Sequence, residues 1–239
     1  MASPKLRPTE IFYPDSDGQP LESDLHGDLM IDLIGSLRHH FRDDPLFYAS
    51  GNLFIYFEEG NPRVSVGPDV FAVRGVPNRR RNVYKVWEEK KGPDLVVELT
   101  SKTTHAEDLK RKPAIYAKLG VKEYFLFDPE GRLRPTLRGF VLRGGAYELL
   151  EAALKPDGTL VLASQVLGLE LHASGDSARW VDPQTGRPLP VPREALDRLT
   201  EEEVRANEER HRADAAEAEV ARLRNELERL RDRKGGQVR

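Results

Sequence analysis

Two carboxylates sit where the hydrophobic pattern of this chain calls for apolar side chains: Asp69 in GPDVFAV and Glu98 in DLVVELTS. Burying a lone carboxylate is costly unless a cation, a metal or hydrogen-bond donors compensate it, so the two mark a candidate site. They suit a hard divalent metal, Mg²⁺ or Mn²⁺, which takes oxygen ligands at about 2.1 Å and needs its carboxylates close together. Asp94 also follows Gly-Pro, but four residues of strand put it about 13 Å from Glu98, too far to share an ion. It is read as a strand-opening turn residue. A neighbouring strand lies only about 4.8 Å away, which makes Asp69 the preferred partner.

Phosphodiester hydrolysis by such a site also needs a positive group to orient the attacking water and to stabilise developing charge. On an extended strand Glu98, Thr100 and Lys102 share a face, and Thr100 has no charge to offer. Lys102 lies close to the strand end, whereas Lys112 on the following helix can reach back to the carboxylates. Lys112 is therefore preferred, with Lys102 in reserve. Asp108 precedes Lys112 by four residues and could hold it through an (i, i+4) pair, although an ordinary surface ion pair explains that spacing equally well. His26 opens the first helix as a possible extra ligand or phosphate contact, but a lone histidine beside a cap is more often structural.

These residues need elements to position them. Leu25, Leu29, Leu33 and Leu37 recur every four residues, which predicts a helix over residues 25–41 capped by Ser23 or Asp24. NLFIYFE at 52–58 reads as a strand, 59–62 as a turn, and 63–66 leads into a second strand at 68–73, together a hairpin or meander. The run DLVVEL reads as a strand buried on both faces. Residues 106–119 then form a helix that contains Pro113 and stops at Gly120, and EYFLF at 123–127 is a second buried strand. Strand, helix, strand is a βαβ-type crossover in a mixed α/β core. Short strands from about residue 140 to 180 (140–142, 147–150 and 160–162) read as a β-extension.

Residues 1–180 are thus expected to be one globular domain, 181–193 a linker with four prolines, and 194–239 a charged helix. In that helix Ala206, Ala213, Ala216, Val220, Leu223, Leu227 and Leu230 form an a/d seam interrupted by Glu209. The seam predicts a coiled coil of roughly three to four heptads, the alternative being a single solvated helix. Self-association, most simply as a dimer through this helix or another surface, follows as an expectation.

The chain has no cysteine, which excludes disulfides, zinc-thiolate sites and cysteine nucleophiles and fits a reducing cytoplasm. No apolar run approaches the roughly 18 residues of a membrane span, so a soluble, unexported protein is expected. With a net charge of −3, contact with nucleic acid would need local basic patches. Arg79-Arg80-Arg81 and Lys110-Arg111-Lys112 offer two, although such triplets are more often solvated surface.

The stretches SDLHGDLMIDLIGSL, GNLFIYFEEGNPRVSVGPDVFAVRGV and PDLVVELTSKTTHAEDLKRKPAIYAKLGVKEYFLFDP resemble the restriction-endonuclease-like superfamily, with its PD-(D/E)xK signature. They resemble more closely the bacterial Uma-two family of endonucleases, over roughly residues 20–180. The resemblance implies a restriction-endonuclease-like mixed central sheet flanked by helices, with the β-extension and the C-terminal coiled-coil helix as additions. It also implies that Asp69 and Glu98 are metal ligands with the main-chain carbonyl of Leu99, that Mg²⁺ or Mn²⁺ is the cofactor, and that DNA is the substrate. Thr100 stands where the superfamily carries its lysine. The Uma-two family similarly lacks that lysine and shows a downstream Dxx(x)K stretch, matched here by Asp108 and Lys112. The departure leaves open a second reading, a catalytically inactive module that binds nucleic acid or a protein partner.

Overall fold

The computed structural model describes residues 11–15, 23–100 and 105–235. Ser23 caps the first helix, α1 (Asp24–His40), its side chain accepting the His26 backbone N–H at 3.2 Å, and the expected stripe of Leu29, Met30, Leu33 and Leu37 is buried. There follow β1 (Phe47–Ser50), β2 (Ile55–Tyr56), β3 (Ser65–Val66), β4 (Val70–Arg74), β5 (Tyr84–Lys85), the single turn α2 (Val86–Glu89), β6 (Leu95–Leu99) and the crossover helix α3 (His105–Lys118). The second half comprises β7 (Glu123–Phe127), β8 (Leu137–Arg143), β9 (Ala146–Leu150), β10 (Ala153–Leu154), β11 (Leu160–Ser164), β12 (Leu169–Ser174), β13 (Ser177–Val181) and the long helix α4 (Pro192–Gly235).

The central sheet has six strands in the order β1-β4-β6-β7-β8-β9, and β6 and β7 pair in parallel while their outer neighbours run antiparallel. The fold is therefore mixed α/β, with the crossover between β6 and β7 carried by α3, as the sequence predicts. All five side chains of β6 and of β7 are buried. Along β6, Leu95, Val97 and Leu99 join the core shared with α1, and Val96 joins the core on the other face with Tyr116 of α3. This alternation is what a strand covered on both faces requires. Pro113 cannot donate to the Leu109 carbonyl, yet α3 continues through it to Lys118 and ends before Gly120, whose φ of +73° suits glycine.

Three expectations are corrected by the structure. The aromatic run at 52–58 contributes only the two-residue β2, which pairs with β3 and β5 in a small separate sheet, whereas β4 leaves the hairpin to enter the central sheet. The β-extension begins later than residue 140, because β8 and β9 continue the central sheet and the four-stranded second sheet starts at β10. Residues 181–192 are not a free linker: Leu189 N–H donates to the Trp180 carbonyl at 2.8 Å, and Leu189 and Val191 are buried. Prolines disguise this segment, but its two aliphatic side chains have apolar surface to cover.

The second sheet rests on the α1 side of the central one, where Leu162, Leu169, Leu171 and Trp180 enter the same core as Leu33 and Leu37. Gly139 of β8 permits the approach, since a Cβ there would stand 2.9 Å from Leu162 Cδ2. A polar clasp fixes the turn between β11 and β12. Glu123 accepts from Ser164 Oγ at 2.5 Å and from the Gln165 and Val166 N–H groups at 2.7 and 3.2 Å, while Arg74 donates to the Val166 and Leu167 carbonyls at 2.7 and 3.3 Å. The chain divides into two compact units, 1–192 and 193–239. The described part of the second is the rest of α4, and its side chains from Glu201 to Glu219 are all exposed. Among the described residues no helix is long and apolar enough to cross a membrane.

Removing the acceptor for three donors should cost about 3 kcal/mol. Glu123→Ala is therefore expected to lower the urea midpoint by that equivalent, and an unchanged midpoint would show that the clasp contributes nothing to the fold.

Candidate active site

The antiparallel register of β4 and β6 pairs Val70 with Val97, Phe71 with Val96 and Ala72 with Leu95. One step further sets Asp69 opposite Glu98, and directly opposed residues of an antiparallel pair project from the same face. The two are interlocked. Leu99 N–H donates to Asp69 Oδ2 at 2.7 Å, and Asp69 N–H approaches Glu98 Oε2 at 3.3 Å. The proximity expected of these two carboxylates is thus present in the backbone pairing itself.

Helix α3 supplies the countercharge. Lys112 Nζ lies 3.0 Å from Glu98 Oε2 and 2.8 Å from Asp108 Oδ1, so the (i, i+4) spacing is an ion pair here, but a buried one. Asp108 is 1% exposed, which removes the surface-pair explanation. Two tyrosines complete the far side: Tyr116 OH donates to Glu98 Oε1, and Tyr124 OH donates to the Asp108 carbonyl at 2.7 Å. Neither tyrosine is distinguishable in the sequence, where Tyr116 is one more member of an apolar helical stripe and Tyr124 one more aromatic in a buried strand. On the opposite flank, His26 Nε2 reaches Asp69 Oδ1 at 3.1 Å from the first turn of α1. Lys102 lies outside the described residues. Thr100 is buried, and its hydroxyl has no hydrogen-bond partner among the described residues.

The environments of the two carboxylates push their proton affinities apart. Burial raises the carboxyl of Asp69, but the hydrogen bond and charge of His26, the Lys112 ammonium and the Leu99 N–H outweigh it, holding Asp69 below the ordinary aspartate range. Glu98 is fully buried, and burial, reinforced by Asp69 and Asp108, pushes it well above the ordinary glutamate range against the pull of Lys112 and Tyr116. Burial would strip the proton from Lys112, yet Glu98, Asp108 and Asp69 together raise its affinity for it. Opposed shifts in adjacent acids are a mark of sites that do chemistry.

A divalent cation fits this donor set. Three carboxylates share one lysine, and Asp108 Oδ2 is buried without a hydrogen-bond partner among the described residues. The ligands would be the Asp69 and Glu98 carboxylates and the Leu99 carbonyl. Among the described residues no cluster of three or more His, Asp or Glu side chains is arranged to hold a metal. Two carboxylates suit Mg²⁺, which commonly keeps waters or takes substrate phosphate oxygens at its other positions.

Gly51, which follows β1, allows the chain to lie against the site, since a Cβ there would fall 1.8 Å from the Asp69 carbonyl oxygen, with the Asn52 N–H bound to Pro68 O at 3.0 Å. Gly51→Ala should cost at least about 2 kcal/mol of stability because backbone must move. Lys112→Met, which leaves buried carboxylates without their ammonium, should cost about 3–5 kcal/mol. Urea denaturation measures both, and a near-neutral Lys112→Met would mean that the carboxylates are compensated by other groups.

No curated protein matches the chain. Among solved structures, a protein from Anabaena variabilis ATCC 29413 described as "a putative nuclease belonging to DUF820" is similar over 57% of this chain and 74% of its own, at 18% identity and a TM-score of 0.42. The model of the Uma2 family, described as "Putative restriction endonuclease", matches residues 4–174. That span includes Asp69, Glu98, Asp108 and Lys112 and is well over half of the 239 residues, and the chain belongs to the Uma2 family.

Proposed function

We propose that the protein is a metal-dependent endonuclease that hydrolyses DNA phosphodiester bonds at the site built on Asp69 and Glu98. The observation that carries this reading is the pairing of those two carboxylates across β4 and β6 with Lys112 Nζ 3.0 Å from Glu98. Mg²⁺ or Mn²⁺, held by Asp69, Glu98 and the Leu99 carbonyl, would polarise the scissile phosphate and lower the pKa of a bound water. Lys112 is then placed to orient that water and to balance charge developing on the phosphate. His26 holds the Asp69 carboxylate, and Tyr116 holds Glu98. Thr100 at the usual lysine position is accommodated because the ammonium arrives from α3 instead.

The test is cleavage of supercoiled and single-stranded DNA with Mg²⁺ or Mn²⁺. Asp69→Ala and Glu98→Ala should each lower the rate by about 10²-fold or more, in line with losing a principal charge-stabilising group. Because burial raises the proton affinity of Glu98 and metal ligation needs its carboxylate form, the metal concentration for half-maximal cleavage should fall as pH rises. If the wild type cleaves nothing over a broad substrate screen and calorimetry detects no metal, the inactive binding module becomes the better account.

A further inference from the structure

Positive charge is concentrated in one part of this chain. Residues 74–94 hold seven basic and three acidic side chains, a surplus of four cations in a chain whose net charge is −3, so the remainder carries −7. The fold joins these cations in a band. Glu89 holds both Arg79 and Arg81, at 2.6 and 2.8 Å, Lys90 follows it in sequence, and Lys91 and Lys122 share Asp94, at 2.7 and 2.9 Å. Glu88 is taken by Lys85 at 3.0 Å. Two carboxylates therefore serve four cations, and further cations stand beside them.

Arg81 is spent on structure. Its guanidinium lies 4.1 Å over the Tyr48 ring and donates to Glu89 and to the Pro77 and Arg79 carbonyls, which braces the loop that presents Arg79 and Arg80. The side chain of Arg79 is 56% exposed and that of Lys122 65%. Arg80 and Lys90 are exposed too, with no carboxylate partner among the described residues. A concavity of about 260 Å³, lined in part by Arg79, Arg80, Asn82 and Lys85, opens beside them. This is not the end of the sheet that carries the site: Asp94 precedes β6, and Glu98 lies four residues further along it, about 13 Å away. The site itself is poorly suited to draw phosphates before a metal binds, since Asp69, Glu98 and Asp108 gather round a single lysine. Exposed guanidinium and ammonium groups do draw them, by releasing the counterions condensed on the backbone.

We propose that Arg79, Arg80, Lys90 and Lys122 form a DNA-docking surface separate from the cleavage site, which grips the phosphate backbone of a duplex. Contacts of this kind position a protein on DNA and carry no sequence information. The choice of DNA among polyanions rests on the proposed nuclease function, whereas the place of the surface rests on the band alone. Because none of the four cations touches Asp69 or Glu98, docking requires no metal.

Fluorescence anisotropy of a labelled duplex with full-length protein in EDTA reads docking without cleavage. Four phosphate contacts predict an affinity that falls about 10²-fold between about 50 and about 200 mM salt, and Arg80→Gln combined with Lys90→Gln should flatten that fall to about tenfold. Lys155→Gln combined with Arg187→Gln removes the same charge from exposed positions elsewhere and should leave the salt dependence unchanged. Asp69→Ala should not weaken metal-free binding. The inference is overturned by a wild type that does not bind the duplex, by an unchanged salt dependence in the band variant, by an equal loss in the control variant, or by weaker binding in Asp69→Ala. Competition by polyglutamate as effective as that by DNA would also overturn it and assign the surface to an acidic protein. A protein that docks through the band yet cleaves nothing when metal is added would count against the nuclease reading alone.

Discussion

The ammonium of Lys112, 3.0 Å from Glu98 and 2.8 Å from Asp108, ties the crossover helix to the strand it covers, and the arrangement of the site follows from it. Helix α3 must lie on the sheet face from which Asp69 and Glu98 project, because otherwise Glu98 would be buried beside Asp69 with no countercharge but His26, which is spent on Asp69. A buried ion cluster is a weak way to stabilise a fold, since desolvation consumes most of the Coulombic gain and a well-packed apolar replacement often does as well or better. Energetics alone therefore do not account for three acids and one lysine at this point.

The parallel strands determine where this can happen. Strands β6 and β7 run side by side, and the carboxyl end of β6, where Glu98 and Leu99 lie, is the end from which the chain departs towards α3. Strand β4 runs the other way, so its first residues meet the last residues of β6, and Asp69 arrives at that end simply by preceding Val70. His26 reaches it because α1 begins there. Four segments distant in sequence converge on one sheet end, each placed by register or by a helix terminus rather than by a loop of its own.

Much of this was legible before the structure, and for definite reasons. The leucines of α1 recur at helical spacing, and DLVVEL and EYFLF are continuous apolar runs that a doubly covered strand requires. The strand spacing alone selected Asp69 over Asp94 as the partner of Glu98. What escaped was of two kinds. Strand β1, FYAS, is four residues long, too short to show a period, and Leu189 and Val191 are hidden among prolines. Other contacts leave no local pattern at all: Tyr116 on Glu98 and Tyr124 on Asp108 arise from tertiary placement, and their sequence positions look like any core aromatic.

Glu123 shows why patterning needs geometry beside it. It too is a carboxylate in a buried strand, and nothing in EYFLF sets it apart from the glutamate of DLVVEL. In the structure its oxygens are taken by Ser164 and two backbone N–H groups. Asp94 is likewise held, by Lys91, Lys122 and the Arg74 N–H, and Asp128 accepts from the Glu130 and Leu133 N–H groups. Each of these acids has donors of its own and clasps a turn or strand end. Glu98 differs because its neighbours include two further carboxylates that compete for the same lysine. What sets Glu98 apart from these acids is therefore whether the donors suffice for the acids around them.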